Sequence, residues 1–178
     1  MKLIILFAML SIAAIPAFSQ MLTSSTPAKL QVYVTRPDGS QALMTSDNLT
    51  VLYDQLKMVG ELKFSTLTTD DQMLQNLLDS ASAPVLTFSG NIPEGQFVFH
   101  DTMNSKFTVE TDVFYNDGQS RIIINFDVSN RQSNVANTFE INCTGSLSLK
   151  DDLGINRDTG LDDKISFQFF QNVQTKSY

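Results

Sequence analysis

The sequence predicts an all-β domain, an antiparallel barrel or sandwich of eight or nine strands with one short helix. Three observations lead to this prediction. Apolar and polar residues alternate along five long segments, which is the period of a half-buried strand. Turn-forming residues separate these segments. One stretch repeats its apolar residues at helical spacing instead.

Residues 1–19 have the composition of an export signal. Lys2 supplies a positive charge, and a mostly apolar run covers residues 3–15. Ala17 and Ser19 are small residues at the −3 and −1 positions of a cleavage site. Because the run is too short to span a bilayer comfortably, a cleaved signal is favoured over a membrane anchor. We therefore expect a periplasmic or secreted protein with no stable membrane insertion after the signal is removed.

The rest of the chain is expected to form one domain. Residues 20–28 are mostly small or polar and are interpreted as a flexible leader. Residues 29–178 are long enough to bury a core of their own. Cys143, the single cysteine, lies in an alternating run and is predicted to be a buried apolar side chain rather than a reactive thiol.

The alternating segments define the predicted strands. The long ones comprise residues 57–65, 106–115, 120–129, 139–149 and 165–173. Shorter candidates comprise residues 30–35, 49–53, 85–89 and 96–100. Asp117 and Gly118 separate two of the long segments and predict a tight β-hairpin between them. Barrels and sandwiches share this pattern, so alternation does not choose between the two architectures.

The stretch 70–80 is the exception, because helical spacing replaces alternation there. Its apolar residues recur at positions i, i+1, i+4 and i+5, and they are Met73, Leu74, Leu77 and Leu78. Thr68 or Thr69 can cap the start of this helix, and Pro84 follows its end. We expect the helix to pack across a barrel mouth or against the edge of the sheet.

The charge balance and the rare residue types exclude several functions. The chain has 12 Lys and Arg against 19 Asp and Glu, a net charge of −7, which argues against nucleic-acid binding. Its one cysteine and one histidine exclude an internal disulfide, a cysteine-rich zinc site and a multi-histidine metal centre within one chain. We therefore expect no metal and no cofactor.

An acidic segment near the C-terminus raises one alternative. Its carboxylates, which could offer oxygen ligands to calcium, belong to Asp151, Asp152, Asp158, Asp162 and Asp163. Gly160 falls two residues after Asp158 rather than five, so the spacing does not match an EF-hand loop. A solvated, negatively charged loop is the favoured interpretation.

His100 is the one histidine that could act as a general base. No serine stands in a Gly-x-Ser-x-Gly nucleophile elbow anywhere in the chain. We therefore expect a protein without catalytic residues. An exported hydrolase would have to depend on His100.

Apolar side chains on the predicted inward faces are the candidates for a ligand-binding lining. They are Leu62, Phe64, Phe97, Phe99, Phe107, Val109, Phe126, Phe139, Ile141, Phe167 and Phe169. The chain has 13 phenylalanines and no tryptophan, so most of this bulk is phenyl rings. A small barrel can fill its interior with such side chains or leave a lumen for one apolar ligand. From composition alone, a packed core is favoured over a lumen.

Residues 58–174 resemble the YceI-like family of exported bacterial proteins. The most specific motif is the turn at Gly154 and Ile155, with an alternating strand on either side of it. Further similar segments are the acidic helix start at 70–74, the Pro-x-x-x-Phe-x-Ser/Gly strand at 84–90 and the central hairpin at 107–128. The chain departs from the family pattern in lacking its tryptophan, and Met73 stands where the helix start has a histidine.

The resemblance implies both a fold and a function. The fold is a lipocalin-like antiparallel β-barrel of about eight strands. The function is binding of a long apolar molecule, such as a polyisoprenoid or a fatty amide, inside the barrel. With the resemblance, we expect an exported protein that sequesters or carries a lipophilic ligand. The alternative is a non-catalytic structural or interaction domain of the cell envelope with a solid core.

Overall fold

The computed structural model describes residues 22–24, 26–53, 56–79, 85–96, 104–132, 137–155 and 160–175. These residues form nine β-strands, one α-helix and one short 3-10 helix. In chain order the elements are β1 (Leu22–Ser24), β2 (Ala28–Thr35), β3 (Gln41–Tyr53), β4 (Lys57–Lys63), the 3-10 helix (Phe64–Thr66), α1 (Gln72–Asp79), β5 (Val85–Asn91), β6 (Ser105–Tyr115), β7 (Gly118–Gln132), β8 (Asn137–Ser148) and β9 (Lys164–Thr175).

The strands close into an antiparallel barrel. Strands β2 to β9 each pair with two neighbours, in the cyclic order β2-β9-β8-β7-β6-β5-β4-β3. The pairing of β3 with β4, through partners such as Val51 and Gly60, joins the two sides of the sheet. Closure gives each of these strands a partner on both sides, which removes the unpaired backbone groups of an open edge. The predicted barrel of about eight strands with one helix is confirmed, and the sandwich alternative is excluded.

Part of the segment predicted as a flexible leader, residues 20–28, is instead a strand. β1 pairs with residues 173–175 of β9 and meets β3 at Tyr53. Ala28 is completely buried and begins β2. The pairing of β9 with β2 ends at Phe170, so β1 supplies backbone partners for the part of β9 that β2 does not reach.

An irregularity in β3 explains why the sequence pattern detects only its second half. Buried and exposed residues alternate on both sides of Asp47 and Asn48, but these two consecutive residues are both exposed. The register of β3 against β2 shifts at the same place. This is a β-bulge, which inserts an extra residue while the inward face continues on either side. The strand therefore begins at Gln41, whereas unbroken alternation predicts only residues 49–53.

The hairpin between β6 and β7 turns one residue earlier than predicted. Tyr115 and Gly118 are paired, so Asn116 and Asp117 form a two-residue loop. Asn116 has a φ of 55°, in the left-handed region that asparagine tolerates better than most residues. Gly118 is therefore the first residue of β7 rather than a central residue of the turn.

Several predicted features lie outside the described residues. They are the signal at 1–19, residues 97–100 of the last short strand including His100, Pro84 after the helix, and Asp158 of the acidic segment. Gln96, the first residue of that predicted strand, lies in a turn. Within the part of the chain that the structure describes, no helix combines the length and the apolar character needed to cross a membrane.

One half of the barrel interior is packed with side chains. We call it the closed end, and its buried residues include Val51, Tyr53, Met58, Val109, Phe126, Val128, Phe139, Ile141, Cys143 and Val173. Phe107 stacks on Phe126 with ring centroids 4.9 Å apart and planes inclined by only 10°. Cys143 is completely buried and is a free thiol, as predicted. Burial raises the pKa of this thiol well above its ordinary value.

Cys143 should resist chemical labelling in the folded protein. Burial keeps reagents away from the sulfur, and the raised pKa keeps it protonated at neutral pH. A thiol-specific reagent such as dithionitrobenzoate should therefore react much more slowly with the native protein than with protein unfolded in guanidinium chloride. Cys143→Ala, which has no thiol to label, is the control. Rapid labelling of the native protein would contradict the packing of the closed end.

Candidate functional site

The other half of the barrel interior is hollow. It contains a cavity of about 390 Å³, and we call this half the open end. Inward side chains from all eight barrel strands form its wall, among them Leu30 of β2, Leu86 of β5 and Ile124 of β7. Helix α1 and the turn that follows β8 lie around its mouth.

The lining of the cavity is apolar. No charged side chain lies among its described residues, and polar side-chain atoms come only from Asn116 and Tyr115. Tyr115 is buried and stacks on Phe64, with ring centroids 5.5 Å apart. This lining can hold an apolar molecule. In its described part it has no carboxylate, imidazole, amine or thiol that could act in general acid–base or nucleophilic chemistry.

The structure separates the predicted lining residues into two groups. Those that line the cavity are Leu62, Phe64, Phe167 and Phe169. Those that pack in or beside the closed end instead are Phe107, Val109, Phe126, Phe139 and Ile141. Phe97 and Phe99 lie outside the described residues. Alternation groups the residues that share one face of a strand. The position of each residue along the barrel axis, which decides whether it lies at the open or the closed end, depends on strand register.

Sequence reasoning missed much of the lining. Cavity residues that it did not single out include Leu30, Val32, Met44, Leu49, Leu86, Phe88, Ile122 and Ile155. Leu30, Val32, Leu49, Leu86 and Phe88 lie on the shorter predicted strands, where alternation covers too few residues to mark a face strongly. Others, such as Val113, Ile124 and Ile165, lie on long predicted strands, where alternation marks a face but not which of its residues border a cavity. Leu77 and Leu78 also line the cavity, and both belong to the apolar stripe of the predicted helix. That stripe is the sequence feature that could have assigned them to the site.

Two glycines make room for phenylalanine rings in the wall. Gly60 is paired across strands with Phe88, and a Cβ atom on Gly60 would lie 2.0 Å from the Phe88 ring. Gly145 is paired with Phe167, and a Cβ atom there would lie 2.4 Å from that ring. Each phenylalanine ring therefore fills the space that a side chain at the paired glycine would take. Any larger residue at either glycine would force the ring to move.

Helix α1 lies at the mouth of the cavity, as the sequence predicts. Leu77 and Leu78 line the cavity, and Leu74 is completely buried. The N-cap differs from the prediction, because it is Asp71 rather than a threonine. Its carboxylate accepts the backbone N–H groups of Met73 and Leu74, at 2.9 and 3.0 Å.

The two threonines predicted as caps hold the segment before the helix against β3. Thr68 exchanges two backbone hydrogen bonds with Thr45, at 2.8 and 2.9 Å. The Thr69 hydroxyl donates to the backbone carbonyl of Leu43 at 2.8 Å. Asp71 also forms an ion pair with Arg36, the residue that follows β2. One carboxylate therefore caps the helix and ties it to the barrel.

Carboxylates of the acidic segment support the turn after β8. Asp163 accepts hydrogen bonds from the Ser148 hydroxyl at 2.7 Å and from the Lys150 backbone N–H at 2.8 Å. These hydrogen bonds lower the pKa of Asp163 below its ordinary value. Asp152 accepts the backbone N–H of Ser148 at 2.6 Å. Across the described ranges, no group of three or more His, Cys, Asp or Glu residues is arranged to hold a metal ion.

Comparison with known proteins identifies a solved structure with a similar fold. No family model matches the chain, and no curated protein does. Among solved structures, the chain is similar to a polyisoprenoid-binding domain from Saccharophagus degradans implicated in plant cell wall breakdown. Sequence identity is 9%, and the TM-score is 0.66 over 88% of this chain and 98% of that one. The YceI-like barrel implied by the sequence motifs is thereby confirmed as a fold.

Asp71→Ala should loosen the helix at the mouth. The substitution removes both the cap and the ion pair with Arg36, and we expect the free energy of unfolding to fall by about 1–2 kcal/mol, mostly through the cap. Asp71→Asn keeps a capping oxygen without the charge and should cost less. Chemical denaturation followed by circular dichroism measures both losses. Equal losses would show that the ion pair, and not the cap, holds the helix.

The turn after β8 should weaken in acid. A carboxylate whose pKa is lowered on folding stabilises the folded state above the ordinary Asp pKa of about 3.9, and its contribution is lost as the pH falls through the lower folded-state pKa. Asp163→Asn should therefore be less stable than the wild type near neutral pH. The difference in urea midpoint should shrink as the pH drops below about 4. A difference that does not change with pH would contradict the role assigned to the Asp163 carboxylate.

Proposed function

We propose that this protein is a non-catalytic, exported binding protein that sequesters or carries an uncharged lipophilic molecule, of isoprenoid or fatty-amide type, in the open end of its barrel. The observation that carries the proposal is the apolar cavity of about 390 Å³. Small-molecule sites in proteins commonly enclose about 300–1,000 Å³ and are lined mostly by apolar side chains. The cavity fits both criteria.

Burial of apolar surface would supply the affinity. Each methylene group that leaves water contributes about 0.8 kcal/mol. The wall offers buried aliphatic side chains such as Leu30, Leu86 and Ile124 along the length of the cavity. A hydrocarbon chain therefore gains binding energy steadily as it enters, and it needs no specific polar partner along the way.

The lining favours a ligand without charge. Burying an ionised carboxylate or ammonium group without a partner is strongly unfavourable. Among the described lining residues there is no charged side chain, and Arg36 beside the helix is already paired with Asp71. A small neutral polar group fits better, because Asn116 and Tyr115 bring polar atoms to the lining near the β6–β7 turn.

Three further observations support the proposal. The structurally similar domain from Saccharophagus degradans is a polyisoprenoid-binding domain. Export is supported by the signal-like composition of residues 1–19. The inference that the protein is not an enzyme is supported by the described lining, which has no carboxylate, imidazole, amine or thiol side chain.

The alternative, a structural module with a solid core, is less well supported. Such a module would have no interior void larger than a few water molecules, each of which takes up about 30 Å³ in the liquid. The closed end has that packing, but the open end encloses about 390 Å³. The hollow half of the barrel therefore favours ligand binding.

Extraction and dye binding test the proposal. Organic extraction of the purified protein should release a lipophilic molecule that mass spectrometry identifies. The lipid-free protein should then bind the uncharged dye N-phenylnaphthylamine saturably. Leu78→Gln should weaken dye binding by about tenfold, because losing a leucine contact in the lining removes about 1.5 kcal/mol of apolar burial.

Met73→Gln is the matched control on the same helix. Met73 is 43% exposed and does not line the cavity, so this substitution should leave the dye affinity unchanged. Failure to recover any lipid, together with no saturable dye binding by the lipid-free protein, would overturn the proposed function.

A further inference from the structure

We propose that the rings of Phe88 and Phe169 form a floor across the barrel and set the length of the hydrocarbon chain that the cavity accepts. This inference rests on the proposed function, since it concerns which lipophilic ligands the same cavity selects. It also differs from the expectation drawn from the family resemblance. That resemblance implies a long apolar molecule, whereas a floor at this level favours a short chain.

The two rings meet across the lumen. In the closed barrel, β5 and β9 are separated by three strands on either path around the cylinder, so they form opposite walls. The ring centroids of Phe88 and Phe169 nevertheless lie only 6.3 Å apart, with planes inclined at 41°. Gly60 leaves space beside β4 for the Phe88 ring and so seats it at this level. Side chains from opposite walls therefore close the cross-section of the barrel.

Phe88 and Phe169 are also the deepest cavity-lining residues of their strands. The next residues on the same faces, toward the closed end, are Gly90 and Gln171. Both are buried, and neither lines the cavity. Gln171 donates hydrogen bonds to the backbone carbonyl groups of Thr26 and Val51, at 3.1 and 3.2 Å, so its side chain occupies space below the floor.

Packed side chains support the floor from the closed end. A row of cross-strand pairs runs from Phe169 through Cys143 and Phe126 to Phe107, on β9, β8, β7 and β6. Cys143 and Phe126 are buried without lining the cavity, and Phe126 is stacked on Phe107. A ligand that reached past the floor would have to displace this packing.

The cavity is short compared with the barrel. On β9 the lining residues run from Ile165 to Phe169, about 13 Å of strand at about 3.3 Å per residue. β9 has 12 residues and is about 36 Å long by the same measure. A chain that enters from the mouth therefore meets the floor after roughly a third of this length. Carbon atoms beyond that point stay in water or must move a ring.

A series of uncharged straight-chain alcohols tests the floor. Octanol, decanol, dodecanol, tetradecanol and hexadecanol are compared by displacement of N-phenylnaphthylamine from the lipid-free protein. For the wild type, affinity should rise by about fourfold with each added methylene until the chain reaches the floor, and then stop rising. The quantity to compare between variants is the chain length at which the gain stops.

Phe88→Ala and Phe169→Ala should move this limit to longer alcohols, since either substitution opens the cross-section. Phe88→Leu and Phe169→Leu remove less volume, so they keep the test valid if an alanine variant does not fold, and they should move the limit by a smaller amount. Phe139→Ala is the matched control, with Phe139→Leu as its milder form. Phe139 and Phe169 are each 2% exposed, but Phe139 does not line the cavity and is paired with Val173, four residues beyond the floor, so its variants should leave the limit unchanged.

The outcomes distinguish this inference from the proposed function. If the lipid-free wild type binds neither the dye nor any of the alcohols, the proposed function fails. If the dye binds but no alcohol displaces it, the floor is wrong while the proposed function stands. If the alcohols bind but affinity keeps rising through hexadecanol, the floor is wrong while the proposed function stands. The same conclusion follows if Phe139→Ala moves the limit as far as Phe169→Ala. A limit that moves only with substitutions at Phe88 and Phe169 supports the floor.

Discussion

Closure of the sheet by the β3–β4 pairing is the constraint on which the rest of this structure depends. Once the two edges of the sheet are joined, the inward side chains of the eight barrel strands share one interior volume. Closure also pairs the backbone groups of β3 and β4, which would otherwise be unpaired edges. The sheet itself does not determine whether that volume is full. The sizes of the inward side chains at each level along the barrel determine it.

These side chains fill the volume unevenly, and this unevenness divides the interior into a packed half and a hollow half. At the closed end, stacked rings such as Phe107 and Phe126 pack the interior. At the open end, Gly60 and Gly145 leave wall space that phenylalanine rings occupy, and a lumen remains between the walls. One half of the barrel is thus a conventional core, and the other half contains an apolar cavity of about 390 Å³.

The mouth of the cavity depends on a small number of polar contacts. Asp71 caps α1 and pairs with Arg36, while Thr68 and Thr69 hold the preceding segment on β3. None of these polar groups lines the cavity. The polar residues therefore position the apolar face of the helix, and the cavity presents almost nothing but hydrocarbon to a ligand.

The sequence by itself predicted an all-β fold, the short helix, the hairpin near Asp117 and the set of apolar residues that share one face of each long strand, because periodicity and turn composition are local properties of the chain. It failed for the first half of β3, where a bulge interrupts the period. Only the tertiary structure decided which inward residues enclose a cavity. Leu62 and Phe126 both alternate inward, yet Leu62 lines the cavity and Phe126 fills the closed end. Their levels follow from strand register and barrel closure, which are pairings between residues far apart in the chain and leave no local trace in the sequence.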